Sequence, residues 1–313
     1  IARKNYVKII VGISPGYGFD FSEILVCNSK NKKSKDLRTL YKKCRYFIEN
    51  GADEIALLFD DLPNNFKETY DLSISEGYAH AYLANKLSLE LKKYIFVVPR
   101  IYSDQLIYED KNYLLDFKKE IDKNIICFYS GKNIVSKSIN NYTLQKTSNI
   151  LSSNFVIWDN FYSNDYCPRR IFLGPYYGRT KIQNIMINPT GLIETDLLLL
   201  DIVKATKNSL RPYEDWKKIL DKHRVPSQFL DVCNHFLKPD FGDNPVLNKI
   251  SISKKFLVSL DFLIWKWKSP LSREWYPFLL GLKHDIKIFT NNFNSERVIK
   301  TQTKALANYL LDI

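Results

Sequence analysis

No apolar run in this 313-residue sequence reaches the roughly 18 residues that a membrane-spanning helix needs. Cysteine is sparse and scattered: Cys27, Cys44, Cys127, Cys167 and Cys233 are odd in number, form no CxxC, and leave only Cys233 and His235 close together. That spacing argues against a metal site and against a disulfide framework. Unpaired thiols lean towards a reducing compartment, the cytoplasm. Neither a GxGxxG nor a P-loop is present, so a dinucleotide or nucleoside triphosphate has no cradle of the usual kind. RNP-like, KH-like and finger-like spacings are missing too, as are internal repeats and long low-complexity segments.

What is present begins with charge. Lysine and arginine number 46 against 34 acids, a formal net charge of +12. The basic residues are dispersed apart from one tract, "NSKNKKSKDLRTLYKK" (28–43), which reads as a solvated loop running into a helix. No nucleic-acid partner is expected from it, because the recognition spacing is absent. Hydrophobic content of 45% with 14% aromatics is enough to build a substantial core.

Short apolar runs alternate with segments of helical period. Strands are predicted at 7–13, 54–59, 94–98, 124–129, 155–159 and 182–188, and helices near 36–50, 70–92, 112–122 and 143–151. Continuous apolar strands separated by helices indicate βαβ units and a parallel sheet buried on both faces. The fold class is therefore α/β. Six strands fall short of the eight of a (β/α)8 barrel, and the sequence starts at Ile1 inside an apparent element. Either the sheet is open and doubly wound, or two barrel units are missing at the N-terminus. The abrupt start favours the second, so the expectation is a TIM-type barrel over 1–210, lacking two N-terminal units, followed by an α-helical region over 211–313. The aromatic stretch 262–282 reads first as core packing between helices.

In parallel α/β folds, chemistry gathers beyond the C-terminal ends of the strands. Those positions carry Ser14-Pro15-Gly16, Asp60-Asp61, Pro99-Arg100-Ile101-Tyr102, Tyr129-Ser130-Gly131, Trp158-Asp159-Asn160 with Asn164-Asp165, and Asn188-Pro189. An adjacent acid pair means little alone, since about four arise by chance from this composition. Acids, amides and aromatics collected at one end of a sheet suit a carbohydrate, whose hydroxyls bind the polar groups and whose C–H faces pack on rings. The 160–181 connection, with its "YCPRR" and "LGPYYGR", is long for a compact domain, and such loops are usually functional.

The stretch "VIWDNFYSNDYCPRRIFLGPYYGR" (156–179) closely resembles the corresponding segment of glycoside hydrolase family 84, the β-N-acetylglucosaminidases that include protein O-GlcNAcases. "ISPG" (13–16), "ALLFDD" (56–61), "YAHA" (78–81), "SGKNIVSK" (130–137) and "INP" (187–189) follow in the family's order. The likeness covers about residues 1–205. It implies a retaining hydrolase of terminal β-linked N-acetylglucosamine, working by substrate assistance through an oxazoline, an exception to the two-carboxylate scheme. By that resemblance Asp60 polarises the substrate's acetamido N–H and Asp61 is the general acid/base, a charged Asp60 disfavouring ionisation of its neighbour. Tyr102 closes the acetamido pocket with Trp158 and Asn160, while Asp165 and Asn188 bind sugar hydroxyls.

No metal or organic cofactor is implied. The partner is an N-acetylglucosamine-bearing glycoprotein or an oligosaccharide, a chitin-like or hyaluronan-like chain included. Two departures accompany the resemblance. Tyr129-Ser130-Gly131 stands where the family has a tryptophan followed by threonine and glycine, which is expected to reshape the acetamido floor. The family's first two barrel units, with a turn and a lysine that contact the sugar, have no counterpart. A non-catalytic N-acetylglucosamine-binding module and a basic nucleic-acid binder are the competing readings.

Overall fold

A computed structural model describes residues 2–16, 18–22, 35–70, 74–151, 154–179, 182–239 and 252–290. Six strands form one sheet in sequential order: β1 (Ile10–Ile13), β2 (Glu54–Leu58), β3 (Ile95–Val98), β4 (Ile126–Tyr129), β5 (Asn154–Asp159) and β6 (Ile185–Ile187). The pairs from β1 to β5 are parallel, with Val11 opposite Ile55, Leu57 opposite Val97, and Tyr129 opposite Ile157. β3 is buried at every position, which is why its sequence shows no polar alternation. Strands joined in chain order by helices match the βαβ expectation, each strand lying within a residue or so of its apolar run except at the ends of β1 and β6.

The chain divides into two compact units. The first comprises 1–134, 141–158 and 183–186, and the second 135–140, 159–182 and 187–313.

In the first unit the sheet's two faces differ. Ile55, Leu57, Phe59, Val97 and Cys127 point into a large core shared with helices α1 (Lys35–Glu49), α3 (Glu76–Leu91) and α4 (Tyr113–Glu120). A short α2 (Phe66–Thr69) and α5 (Asn141–Leu151) complete the unit's helices among the described residues. Ser75 caps α3, its hydroxyl accepting from Tyr78 N at 3.3 Å, and Lys92 ends it in the left-handed region at φ 52°. Gly77 lets α3 approach α4: a Cβ there would lie 2.1 Å from the Tyr113 carbonyl. The residues between these, Ala56, Phe96, Val98 and Phe128, form a smaller cluster on the opposite face, ringed by half-buried Leu58, Tyr102 and Trp158. At the sheet's β1 edge Ile10 remains 39% exposed.

The second unit is built around helices α6 (Ile193–Thr206), α7 (Pro212–Lys222), α8 (Phe229–Val232), α9 (Lys254–Trp265) and α10 (Pro270–Thr290). Glu274 of α10 caps α6, accepting from Glu194 N at 3.0 Å and Thr195 N at 2.8 Å. A carboxylate there satisfies orphan amides and complements the helix dipole. Trp216 donates through Nε1 to Leu173 O at 2.6 Å, and Trp275 to Thr195 Oγ1 at 3.0 Å. The 262–282 stretch is accordingly mostly core: Trp267, Trp275 and Phe278 are buried, whereas Trp265 and Tyr276 reach solvent. No described helix is long and apolar enough to cross a membrane.

Candidate active site

β2 hands its chain to the acid pair. Phe59 still holds the ladder, donating to Val98 O at 2.9 Å, and stacks on the helix side. Asp60 therefore falls in phase with Ala56 and Leu58, towards the smaller cluster. Strict alternation would send Asp61 into the helix-side core. Instead Asp61 takes φ 60°, ends the alternation and stays exposed. A left-handed non-glycine residue costs on the order of 1–2 kcal/mol, least for Asp and Asn. Burial first, and the Asp61 charge second, raise the Asp60 carboxyl above the ordinary aspartate range. A carboxyl that holds its proton more tightly, beside a second carboxylate at a strand end, suits general acid–base work.

Tyr102 and Trp158 come together in the same cluster, Trp158 edge-on to Phe128 with ring centroids 5.4 Å apart. Tyr129 does not belong there. β4 turns it to the helix side, where its hydroxyl donates to Asp104 Oδ1 at 2.8 Å and Lys146 Nζ holds Oδ2 at 2.5 Å. Within the Tyr129-Ser130-Gly131 stretch, the Tyr129 ring itself therefore turns away from the smaller cluster. Strand parity assigns the inner-face position of β4 to Phe128, and Tyr129 instead ties the segment after β4 to the Ser103–Leu106 turn, as does Asp104 N donating to Gly131 O at 2.9 Å.

In the second unit Asn160, Asn188 and Asp165 are joined through a residue that sequence reasoning missed. Asn188 Nδ2 donates to Asn160 Oδ1 at 3.1 Å and to Ser163 Oγ at 3.2 Å, and Ser163 donates in turn to Asp165 Oδ1 at 2.6 Å. Asn160 and Ser163 are buried, whereas Asp165 is exposed. Amide, hydroxyl and carboxylate are held in one chain. Asn164 has a turn role: its side chain donates to Arg170 O at 3.0 Å.

The loop carrying them is anchored on Asp159, which is 1% exposed. Arg179 donates from Nε to Asp159 Oδ2 at 2.7 Å, from Nη1 to Lys137 O at 2.7 Å, and from Nη2 to Ser136 O. Tyr176 donates to the same Oδ2 at 2.6 Å. Phe161 N donates to Oδ1 at 3.1 Å, and Asn188 N to the Asp159 carbonyl at 3.1 Å. The guanidinium also lies 4.6 Å from the Phe161 ring centroid. This network fixes both ends of the long loop and the backbone of Asn188. The "GPYYGR" turn signal marked the place but not the pairing.

The described cysteines, Cys44, Cys127, Cys167 and Cys233, are buried and form no disulfide with one another, and Cys27 lies outside the described residues. Of the basic tract, residues 28–34 lie outside them as well, and the remainder opens α1.

Comparison with known proteins bears on this geometry. Residues 1–207 match the β-N-acetylglucosaminidase family. The mouse (Mus musculus) and rat (Rattus norvegicus) proteins called protein O-GlcNAcase are each 27% identical over 228 residues, 67% of this chain and 24% of theirs. The chain thus corresponds to about a quarter of the length of those relatives. Among solved structures, a mutant of the Thermobaculum terrenum O-GlcNAc hydrolase shares the fold with a TM-score of 0.70 at 20% identity, over 94% of this chain and 69% of that one. CpGH84B does so with a TM-score of 0.66 at 19% identity, over 98% and 62%. With the family matched across two-thirds of its residues, strand ends included, the chain belongs to the β-N-acetylglucosaminidases of glycoside hydrolase family 84.

Proposed function

We propose that this chain carries the catalytic strand ends of a retaining β-N-acetylglucosaminidase acting on terminal β-linked N-acetylglucosamine, borne by a glycoprotein or an oligosaccharide. The six parallel strands are read as part of an eight-stranded barrel, with the catalytic region ending near 210 and a helical region over 211–313. The observation that carries the reading is the Asp60–Asp61 turn. The backbone leaves the strand in a left-handed step, so neighbours that alternation would separate are both kept out of the helix-side core.

In the proposed reaction the substrate's N–H donates to Asp60, and a hydrogen bond to the charged form favours that form. The acetamido oxygen attacks the anomeric carbon while the glycosidic C–O bond breaks, and Asp61 delivers its proton to the departing oxygen. Water next attacks the anomeric carbon of the oxazoline, Asp61 removes the water's proton, and the acetamido group is restored with net retention. Tyr102, Trp158 and Asn160 enclose the acetamido group, and Asp165 and Asn188 hold sugar hydroxyls.

The test is hydrolysis of a chromogenic β-N-acetylglucosaminide by this chain and by one carrying two further βα units, each beside its Asp61→Asn variant. Asp61-dependent turnover in either supports the reading. Binding of N-acetylglucosamine without such turnover replaces it with a non-catalytic sugar-binding role.

A further inference from the structure

The first unit holds a cavity of about 180 Å3, walled by Phe21, Leu62, Phe66, Tyr70, Glu76 and His80. A purely apolar cavity of roughly 150 Å3 is large enough to bind benzene, so this one has room for a six-membered ring. Its lining is not purely apolar. His80 is fully buried, and its ring is clamped, stacked on Phe59 at 4.0 Å with 4° between planes. The Tyr113 hydroxyl lies 2.9 Å from His80 Nδ1 and accepts from Arg100 N at 2.9 Å.

The tautomer that gives the Tyr113 proton a partner has the hydroxyl donating to His80 Nδ1 and the neutral imidazole's own proton on Nε2. Burial, with the Arg100 charge second, pushes His80 well below its ordinary range and keeps it neutral. Nε2 is buried with no hydrogen-bond partner among the described residues. A buried orphan donor is costly, on the order of 1–3 kcal/mol. Glu76 Oε1 lies 4.0 Å from it, too far for a direct bond, and Glu76 Oε2 is occupied by Arg100 Nε at 2.8 Å. A donor and an acceptor that face each other without meeting suit one hydroxyl, which accepts from Nε2–H and donates to Oε1.

We propose that this cavity is a binding site for a small neutral molecule with an apolar ring and a single hydroxyl, of the phenol class. The ring packs among Phe21, Phe66 and Leu62, and the hydroxyl bridges His80 and Glu76. Tyr70 contributes only its ring, its own hydroxyl being committed to Phe19 O at 2.6 Å. The rim residues Asn65 and Thr69 are exposed, giving the ligand a way in. The inference is independent of the glycosidase reading.

The experiment titrates phenol, and benzene beside it, into the 13C,15N-labelled chain. The His80 imidazole and Leu62 methyl resonances are followed, and the tautomer is read from long-range 1H–15N correlations. His80→Phe tests the donor, and Thr69→Trp, at an exposed position outside the buried network, obstructs the mouth without challenging the fold. The expected result is an Nε2–H tautomer, saturable shifts at both residues, phenol about tenfold tighter than benzene, and a loss of at least tenfold in Thr69→Trp. Equal affinities for phenol and benzene, unchanged binding in Thr69→Trp, or no saturation with phenol overturns it.

Discussion

Asp159 and the Asp60–Asp61 pair both stand at the C-terminal end of a parallel strand, yet their surroundings are opposite. Asp159 is buried and receives bonds from Arg179, Tyr176 and Phe161 N. Among the described residues the Asp60–Asp61 pair has no ion-pair partner, and burial first and the Asp61 charge second raise Asp60. A carboxylate saturated with donors has nothing left for a substrate and serves as an anchor. A pair left electrostatically dissatisfied is poised to take or give a proton. The position at the strand end is shared; the local charge balance separates structure from chemistry.

The sharpest break of this comparison is Asp61→Asn. Asparagine tolerates the left-handed step at φ 60°, so unfolding free energy should stay within about 0.5 kcal/mol of the parent. Turnover of a chromogenic β-N-acetylglucosaminide by the active form should fall about 10²- to 10⁴-fold, the usual share of general acid–base catalysis. Asp61→Val separates the two effects in the other direction, adding a stability cost of about 1–2 kcal/mol from backbone strain. Urea unfolding and initial rates on the same preparations check both.

Asp159 should behave the opposite way. Arg179→Met strands a buried carboxylate, and breaking a buried pair from one side costs about 3–5 kcal/mol. Adding Asp159→Asn to Arg179→Met should return part of that loss, because the stranded charge is gone. A double-mutant cycle in urea measures the coupling, expected to be positive and above about 1 kcal/mol. If Arg179→Met unfolds no more easily than the parent, the anchor role is wrong.

Which parts could be read from the sequence follows from the same contrast. Continuous apolar runs such as 95–98 give strands directly, since burial on both faces leaves no polar alternation to confuse the reading. Asp60 and Asp61 are legible because both the strand end and the acids are local. Arg179 is not, because its partner lies 20 positions back and the pairing exists only after the loop has closed. Ser163 was invisible for a similar reason: a serine in a loop carries no pattern until Asn188 arrives. Tyr129 shows the finer limit. Likeness to a motif gave its position, but only the parity of β4 decides which face its ring occupies.

A smaller effect sharpens the Asp60 side. Its folded-state carboxyl binds its proton more tightly than an ordinary aspartate with a reference value of 3.8. Over the interval above 3.8 the folded chain therefore binds more protons than the unfolded one at this site. Stability from this group is highest below that interval and declines as pH rises through it. Asp60→Asn should flatten this segment of the stability–pH curve. Asp61→Asn should reduce the slope without abolishing it, because burial, the larger cause, remains. Urea midpoints of parent and Asp60→Asn measured at closely spaced pH values across the interval decide the matter, and a parent-minus-variant difference that rises with pH there would sink the assignment.

The smallest effect probes the hydroxyl that links the second unit's polar residues. Ser163→Ala removes the donor to Asp165 and one of the two acceptors of Asn188 Nδ2, while the bond to Asn160 Oδ1 survives. A net loss of about 0.5–1.5 kcal/mol is expected for a hydrogen bond whose partners retain other contacts or reach water. Asp165 is exposed and keeps its bond from Tyr166 N at 2.9 Å, so it loosens without becoming a buried orphan. Under the proposed function this loosening acts on ground-state and transition-state binding alike, so KM should rise a few-fold while kcat holds. A fall in kcat at unchanged KM would instead place Ser163 against the reacting atoms, and the division between anchor and chemistry would have to be redrawn through the loop.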